Sequence, residues 1–282
     1  MELSGNIRKM RVTTQAQSDG THLAQYSLPV GEQALDVNAI IGQQVRVTHN
    51  DSINCVHCNA KTKKSFNQGY CYRCLITLAQ CDSCIIKPEL CHYSAGTCRE
   101  PEWGEANCLS DHFVYLSNTG ALKIGITRHV TDGVSSRWID QGATQALPIL
   151  RVSERLVSGL VEHAAKAHIA DKTNWRTMLK GQPDTLDIQQ RAEQVLDSIQ
   201  DEIGTITSTH GLQAVQPIES DPIEIRYPVS QYPEKIKSIN LDKTPEFDGV
   251  LQGIKGQYWM LDGDRVINMR KYAGYNLTVA VS

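Results

Sequence analysis

All nine cysteines of this 282-residue chain fall between Cys55 and Cys108. They open as two C-x-x-C knuckles, Cys55-Val56-His57-Cys58 and Cys71-Tyr72-Arg73-Cys74, joined by a twelve-residue loop. Each knuckle turns two thiolates toward a common point, and a loop of that length lets the turns fold face to face. One tetrahedral zinc requires that arrangement. A third knuckle, Cys81-x-x-Cys84, is followed by Cys91 and Cys98, and loop compactness predicts these four as the ligands of a second structural zinc. Cys108 with His112, at C-x-x-x-H spacing, is a rival pair for that site. The stretch has few large apolar side chains, so metal would replace a hydrophobic core for about sixty residues.

The N-terminus, MELSGNIRKMRV, has no apolar signal region, and no apolar run is long enough to span a bilayer. The expectation is a cytoplasmic chain with reduced thiols, in which paired knuckles ligate metal rather than form disulfides. The net charge of −3 is unevenly spread. Residues 46–74 carry Arg46, Lys61, Lys63, Lys64 and Arg73 against Asp51 alone, and 113–180 is also basic. Residues 181–249 hold thirteen acidic and five basic residues, which sets the overall sign. Two basic modules beside an acidic one fit a polyanion surface on one side of the molecule, with Lys61, Lys63, Lys64 and Arg73 as its candidate contacts.

The pattern divides the chain into an N-terminal β unit (1–50), a zinc-binding module (51–110), a strand–helix core (111–205), and a linker with a C-terminal β unit (206–282). Gly5-Asn6-Ile7-Arg8-Lys9-Met10-Arg11-Val12 alternates polar and apolar residues. Ile41-Gly42-Gln43-Gln44-Val45-Arg46-Val47 is echoed by Ala273-Gly274-Tyr275-Asn276-Leu277-Thr278-Val279. The two terminal β units are therefore expected to pack together as a barrel or sandwich. Ser153–Ala170, with Ser153 as cap, and Leu186–Ile203 each place apolar residues on one helical stripe, and Gly204–Pro228 reads as linker. The fold class is α+β.

Residues Phe113 to Arg128 form a hairpin pattern, with an apolar strand, an Asn-Thr-Gly turn and a second apolar strand. This segment resembles the core of the GIY-YIG nucleases. Phe113-Val114-Tyr115 stands where GIY would, and Lys123-Ile124-Gly125 where YIG would, with lysine in place of the second tyrosine. Arg137, Glu162 and Asn174 follow in the order of the family's arginine, glutamate and asparagine, and Arg128 competes for the arginine role. The resemblance implies a small antiparallel sheet with flanking helices. It also implies a Mg²⁺- or Mn²⁺-dependent phosphodiesterase in which Glu162 holds the metal, Arg137 contacts the phosphate, and Tyr115 or Lys123 acts on water. A non-catalytic nucleic-acid-binding module on the same core is the alternative. The chain as a whole resembles a bacterial zinc-ribbon family described only as a domain of unknown function, through Gly69-Tyr70-Cys71-Tyr72-Arg73-Cys74, Thr97-Cys98-Arg99-Glu100-Pro101, Trp103-Gly104-Glu105 and Arg137-Trp138-Ile139-Asp140-Gln141-Gly142-Ala143.

Overall fold

The computed structural model describes residues 1–131, 133–169 and 174–282. The two ends of the chain are neighbouring strands. Glu2–Asn6 pairs antiparallel with Tyr275–Val281, which pairs with Gln44–Ile53, and that strand pairs with Glu246–Lys255. Tyr258–Leu261, Arg265–Asn268 and Lys237–Ser238 complete seven strands, the last joining in parallel. Period-two alternation sets the faces: Tyr275, Leu277, Val279 and Val281 are buried, while the residues between them are partly exposed. The echoed glycine-strand segments thus lie side by side, in an open sheet rather than a barrel.

The second sheet runs Arg11–Ala16, His22–Val30, Ile223–Arg226, Gln145–Val152, His112–Asn118, Leu122–Thr127. Gln33–Asp36 and Val215–Pro217 attach beside it. The N-terminal fifty residues are therefore shared between two sheets. The stretch Gly204–Pro228 is not a linker. It contains the end of the helix Gln200–His210 and two strands, one of which joins His22–Val30 to Gln145–Val152.

The strand His112–Asn118 divides the molecule's core. Val114 and Leu116 face a cluster built with Val157, Val161, Ala192 and Val195 of the flanking helices. Tyr115, one residue out of phase, faces the larger cluster that fills the space between the sheets, with Trp138, Trp259 and Leu277. The first of the two expected helices spans Arg155–Ala165, and its N-cap is Glu154 rather than Ser153, with no side-chain cap bond among the described residues. The second expected helix breaks at Ile199 into Ile188–Ser198 and Gln200–His210. Among the described residues no helix is long and apolar enough to cross a membrane.

Candidate metal centre and cationic cleft

The first two knuckles meet as their spacing predicts. The sulfurs of Cys55, Cys58, Cys71 and Cys74 all lie within 4.8 Å of one another. Cys58 and Cys71 are 3.8 Å apart. A Zn–S bond of about 2.3 Å sets tetrahedral S···S edges of about 3.8 Å, so this donor set fits one zinc ion. The turn that aims the first pair uses Asn59 at φ 58°, with its amide donating to the Cys55 carbonyl at 3.0 Å. Gly69 (φ 135°) packs so tightly on Val56 that no side chain fits, which brings the second knuckle against the first. Burial raises both of the interacting thiols Cys55 and Cys74, and the neighbouring cysteines push Cys74 higher still, but at Cys55 the backbone amides of Cys58, Cys71 and His57 outweigh burial and lower the pKa. A thiol so placed is ready to lose its proton to a metal.

The remaining cysteines are arranged differently from the sequence expectation. Cys81 packs with Cys55, Cys74 and Leu78 of the first cluster. Cys84, Cys91 and Cys98 instead line a small cavity together with Cys108 and His92. Burial pushes the Cys84 thiol up to about 11, with Asp82, Cys91 and Cys108 adding to the effect. His112 is fully buried in its strand and contacts the Ser110 carbonyl through Nδ1 at 2.7 Å. It is not among the residues lining that cavity.

A cleft of about 820 Å³ opens beside these clusters. Lys123, Arg137 and Glu162 line it, joined by Arg8, Lys9, Arg128, Arg155 and Arg270. The edge strand Leu122–Thr127 supplies its floor through Lys123, Gly125 and Thr127. Tyr115 stands opposite Gly125 in the ladder, and a Cβ on Gly125 would meet the Tyr115 hydroxyl at 2.7 Å. The phenol therefore lies beneath the bare backbone of the cleft floor and donates to Gln141 Oε1 at 2.9 Å. Burial raises its pKa well above the ordinary range; Arg137 opposes that shift and Glu162 reinforces it.

Glu162 comes from the helix Arg155–Ala165, is largely buried, and lies 3.9 Å from the Lys166 ammonium. Arg137 is exposed near the start of the short helix Ser136–Asp140, whose Ser135 cap accepts its amide at 3.3 Å. Arg155 donates to the Ile85 carbonyl at 2.7 Å, and its Nε is buried without a hydrogen-bond partner among the described residues. Burial lowers the Arg155 pKa, and the nearby Arg137 and Arg128 lower it further. Arg128 reaches the Asn107 carbonyl at 3.3 Å.

Asn174 is not brought to the cleft. It caps the helix Trp175–Met178 by accepting the Arg176 amide at 3.0 Å. Lys61, Lys63, Lys64 and Arg73 are exposed on the cysteine module outside the cleft lining, although Asn67, Gln68 and Tyr70 of the same loop line the cleft rim. Arg155 was not singled out in the sequence, and neither were Arg8, Lys9 and Arg270. The last three come from the two ends of the chain, and no local pattern distinguishes them from solvated surface charges.

A mixed α+β protein with a four-cysteine cluster beside a cationic cleft is the class that fold and site define. Residues 42–277 match the family described as "Protein of unknown function (DUF2797)", and the chain belongs to that family. No curated protein and no solved structure matches it significantly.

Proposed function

We propose that the cleft binds the phosphodiester backbone of nucleic acid and hydrolyses it with a hard divalent cation, in the manner of the GIY-YIG nucleases its hairpin resembles. The observation that carries this reading is the gathering of Lys123, Arg137 and Glu162, with Arg8, Lys9, Arg128, Arg155 and Arg270, around one cleft above the Tyr115 phenol. Positive charge concentrated in a concave, partly desolvated site attracts a polyanion and stabilises charge on a pentavalent phosphate. Among the described residues Glu162 is the one carboxylate lining the cleft, and it would hold Mg²⁺ or Mn²⁺ through oxygen. Such an ion supplies polarisation of the phosphate and an acidified water.

The protein's own groups divide the remaining work. Arg137, exposed and adjacent to the phenol, contacts the scissile phosphate. Lys123 and Arg155 add charge stabilisation from the floor and wall. Tyr115 is held protonated by burial, so its part is to donate a hydrogen bond and hold Gln141 rather than to take a proton. Lys61, Lys63, Lys64 and Arg73 extend the cationic track beyond the rim. A structural zinc held by Cys55, Cys58, Cys71 and Cys74 would fix the loop that leads there.

A binding module without cleavage is the second reading, favoured by the raised pKa of the buried Tyr115, which removes one candidate base. A panel of single-stranded, duplex and branched DNA and RNA, with and without Mg²⁺ or Mn²⁺, separates the two. The nuclease reading expects metal-dependent cleavage that Glu162→Gln abolishes while anisotropy shows binding retained. Binding with no cleavage of any substrate selects the second reading, and absence of binding sinks both.

A further inference from the structure

We infer that Cys84, Cys91, Cys98 and Cys108 hold a second zinc ion, and that this site builds one wall of the cleft. The four thiols line one cavity of about 20 Å³, a volume on the scale of a single small ion or water. Gly104 makes room for them: a Cβ there would stand 3.3 Å from the Cys98 sulfur and 3.0 Å from the Tyr93 ring. Cys108 ends the helix Pro101–Asn107 and donates its amide to the Gly104 carbonyl at 2.7 Å, which fixes its place in the cavity wall. The four sulfurs do not all lie within 4.8 Å of one another as those of the first cluster do, so ligation would draw them inward.

A competing donor set lies next to them, since Asp82, Cys84 and His92 have ligand atoms within 4.8 Å of one another. Asp82, the oxygen donor of that set, is already engaged by other partners. Asp82 accepts from the Ser83 amide at 2.5 Å and pairs with Arg99 Nε at 2.7 Å. The His92 Nδ1 meets Thr97 Oγ1 at 2.8 Å. Thiolates are also the softer donors, and a closed structural zinc site takes four ligands.

The backbone beside these cysteines grips the cleft's cations. The Cys108 carbonyl accepts from the Arg155 amide at 2.8 Å, and the Ile85 carbonyl accepts from its guanidinium at 2.7 Å. Asn107 holds Arg128. Gly159, on the helix that carries Glu162, leaves no room for a side chain against Pro88 and Glu89. Loss of the metal would therefore loosen Arg128, Arg155 and the Glu162 helix together.

The test is the zinc content of the full chain and the ¹¹³Cd spectrum of the cadmium-exchanged protein. On the four-ligand rule the wild type should hold about two zinc ions. Cys91→Ser and Cys108→Ser should each fall to about half that content, while Cys81→Ser and His92→Ala keep it. Two ¹¹³Cd resonances in the all-thiolate region are expected. Where a serine variant does not fold, the wild-type spectrum decides. A single metal in the wild type, loss of one in Cys81→Ser, or full retention in Cys108→Ser overturns the assignment. A second resonance in the mixed nitrogen–oxygen region does so too, and moves the site to Asp82, Cys84 and His92.

Discussion

The Tyr115–Gly125 contact shows how one missing side chain shapes the cleft floor. The Tyr115 ring is fully buried and packs against Trp138 with centroids 5.7 Å apart, so it has no free direction in which to yield. Gly125→Ala is expected to destabilise by about 1–3 kcal/mol, the usual cost of overpacking, measured by urea unfolding. An unchanged midpoint would mean that the ring shifts freely. Lys255 carries a pH prediction. It is fully buried, donates to the Gly181 carbonyl at 2.9 Å and lies over the Tyr227 and Tyr232 rings. Burial lowers its pKa from 10.5 to about 8. The unfolded chain therefore binds more protons between those values, and stability rises with pH across that window. The penalty below it is on the order of 3 kcal/mol. Lys255→Met should remove this rise, seen as the wild-type-minus-variant difference between pH 7 and 10; equal slopes would refute it. Of the cleft residues, Lys123, Arg137 and Glu162 were singled out in the sequence, and the structure places all three in the cleft lining. Lys255 was not singled out, because a lysine in an apolar strand gives no sign in sequence of whether it is buried.

Among the elements, the knuckles and the hairpin were read from local pattern, and each depends only on neighbours within a short stretch. Phe113 to Arg128 folds as His112–Asn118 and Leu122–Thr127, with Gly120 at φ 98° in the turn. The strands Val215–Pro217 and Ile223–Arg226 escaped notice because three or four residues cannot display an alternation, and the prolines and acids around them imitate a linker. Their partners, Gln145–Val152 and His22–Val30, supply the order their own sequence lacks. The third knuckle shows the limit of such a pattern: C-x-x-C spacing says that two thiols can share a metal, whereas in the structure Cys81 packs against the first cluster and Cys84 lines the neighbouring cavity. The first two knuckles carry the element-scale prediction. Few apolar groups beyond Leu78 are buried with them, so a metal bound there would supply folding free energy. Chelation, or Cys71→Ser, should lower the melting temperature and open the segment around residues 55–80 to proteolysis. Protection from protease in the chelated protein would count against a structural zinc.

At the scale of the whole molecule the chain closes on itself. The N-terminal ammonium donates to the Val281 carbonyl at 2.8 Å, and the strands at both ends share one sheet. That closure carries Arg8 and Arg270 to the same cleft as Lys123 and Arg137, although more than a hundred residues separate them in sequence. Asp140 receives Lys9 at one oxygen and the Gln257 amide, at 2.8 Å, at the other, and so ties the first strands and the C-terminal sheet to the helix that bears Arg137. Charge statistics along the chain located the basic modules but not this convergence, since the cations meet only when the sheet is complete. If the cleft is where phosphate binds, the terminal cations should count as much as those of the core. Arg8→Ala with Arg270→Ala should weaken duplex binding and lower the log–log salt slope by up to about 0.9 for each phosphate no longer neutralised. The Lys61→Ala, Lys63→Ala, Lys64→Ala triple variant should affect only nucleic acid long enough to leave the cleft, because those lysines stand outside its lining. Short and long duplexes titrated across a salt series distinguish the two sets. A double variant with wild-type slope on the short duplex would remove the cleft from the binding surface, and a triple variant that no longer binds the short duplex would transfer it to the loop.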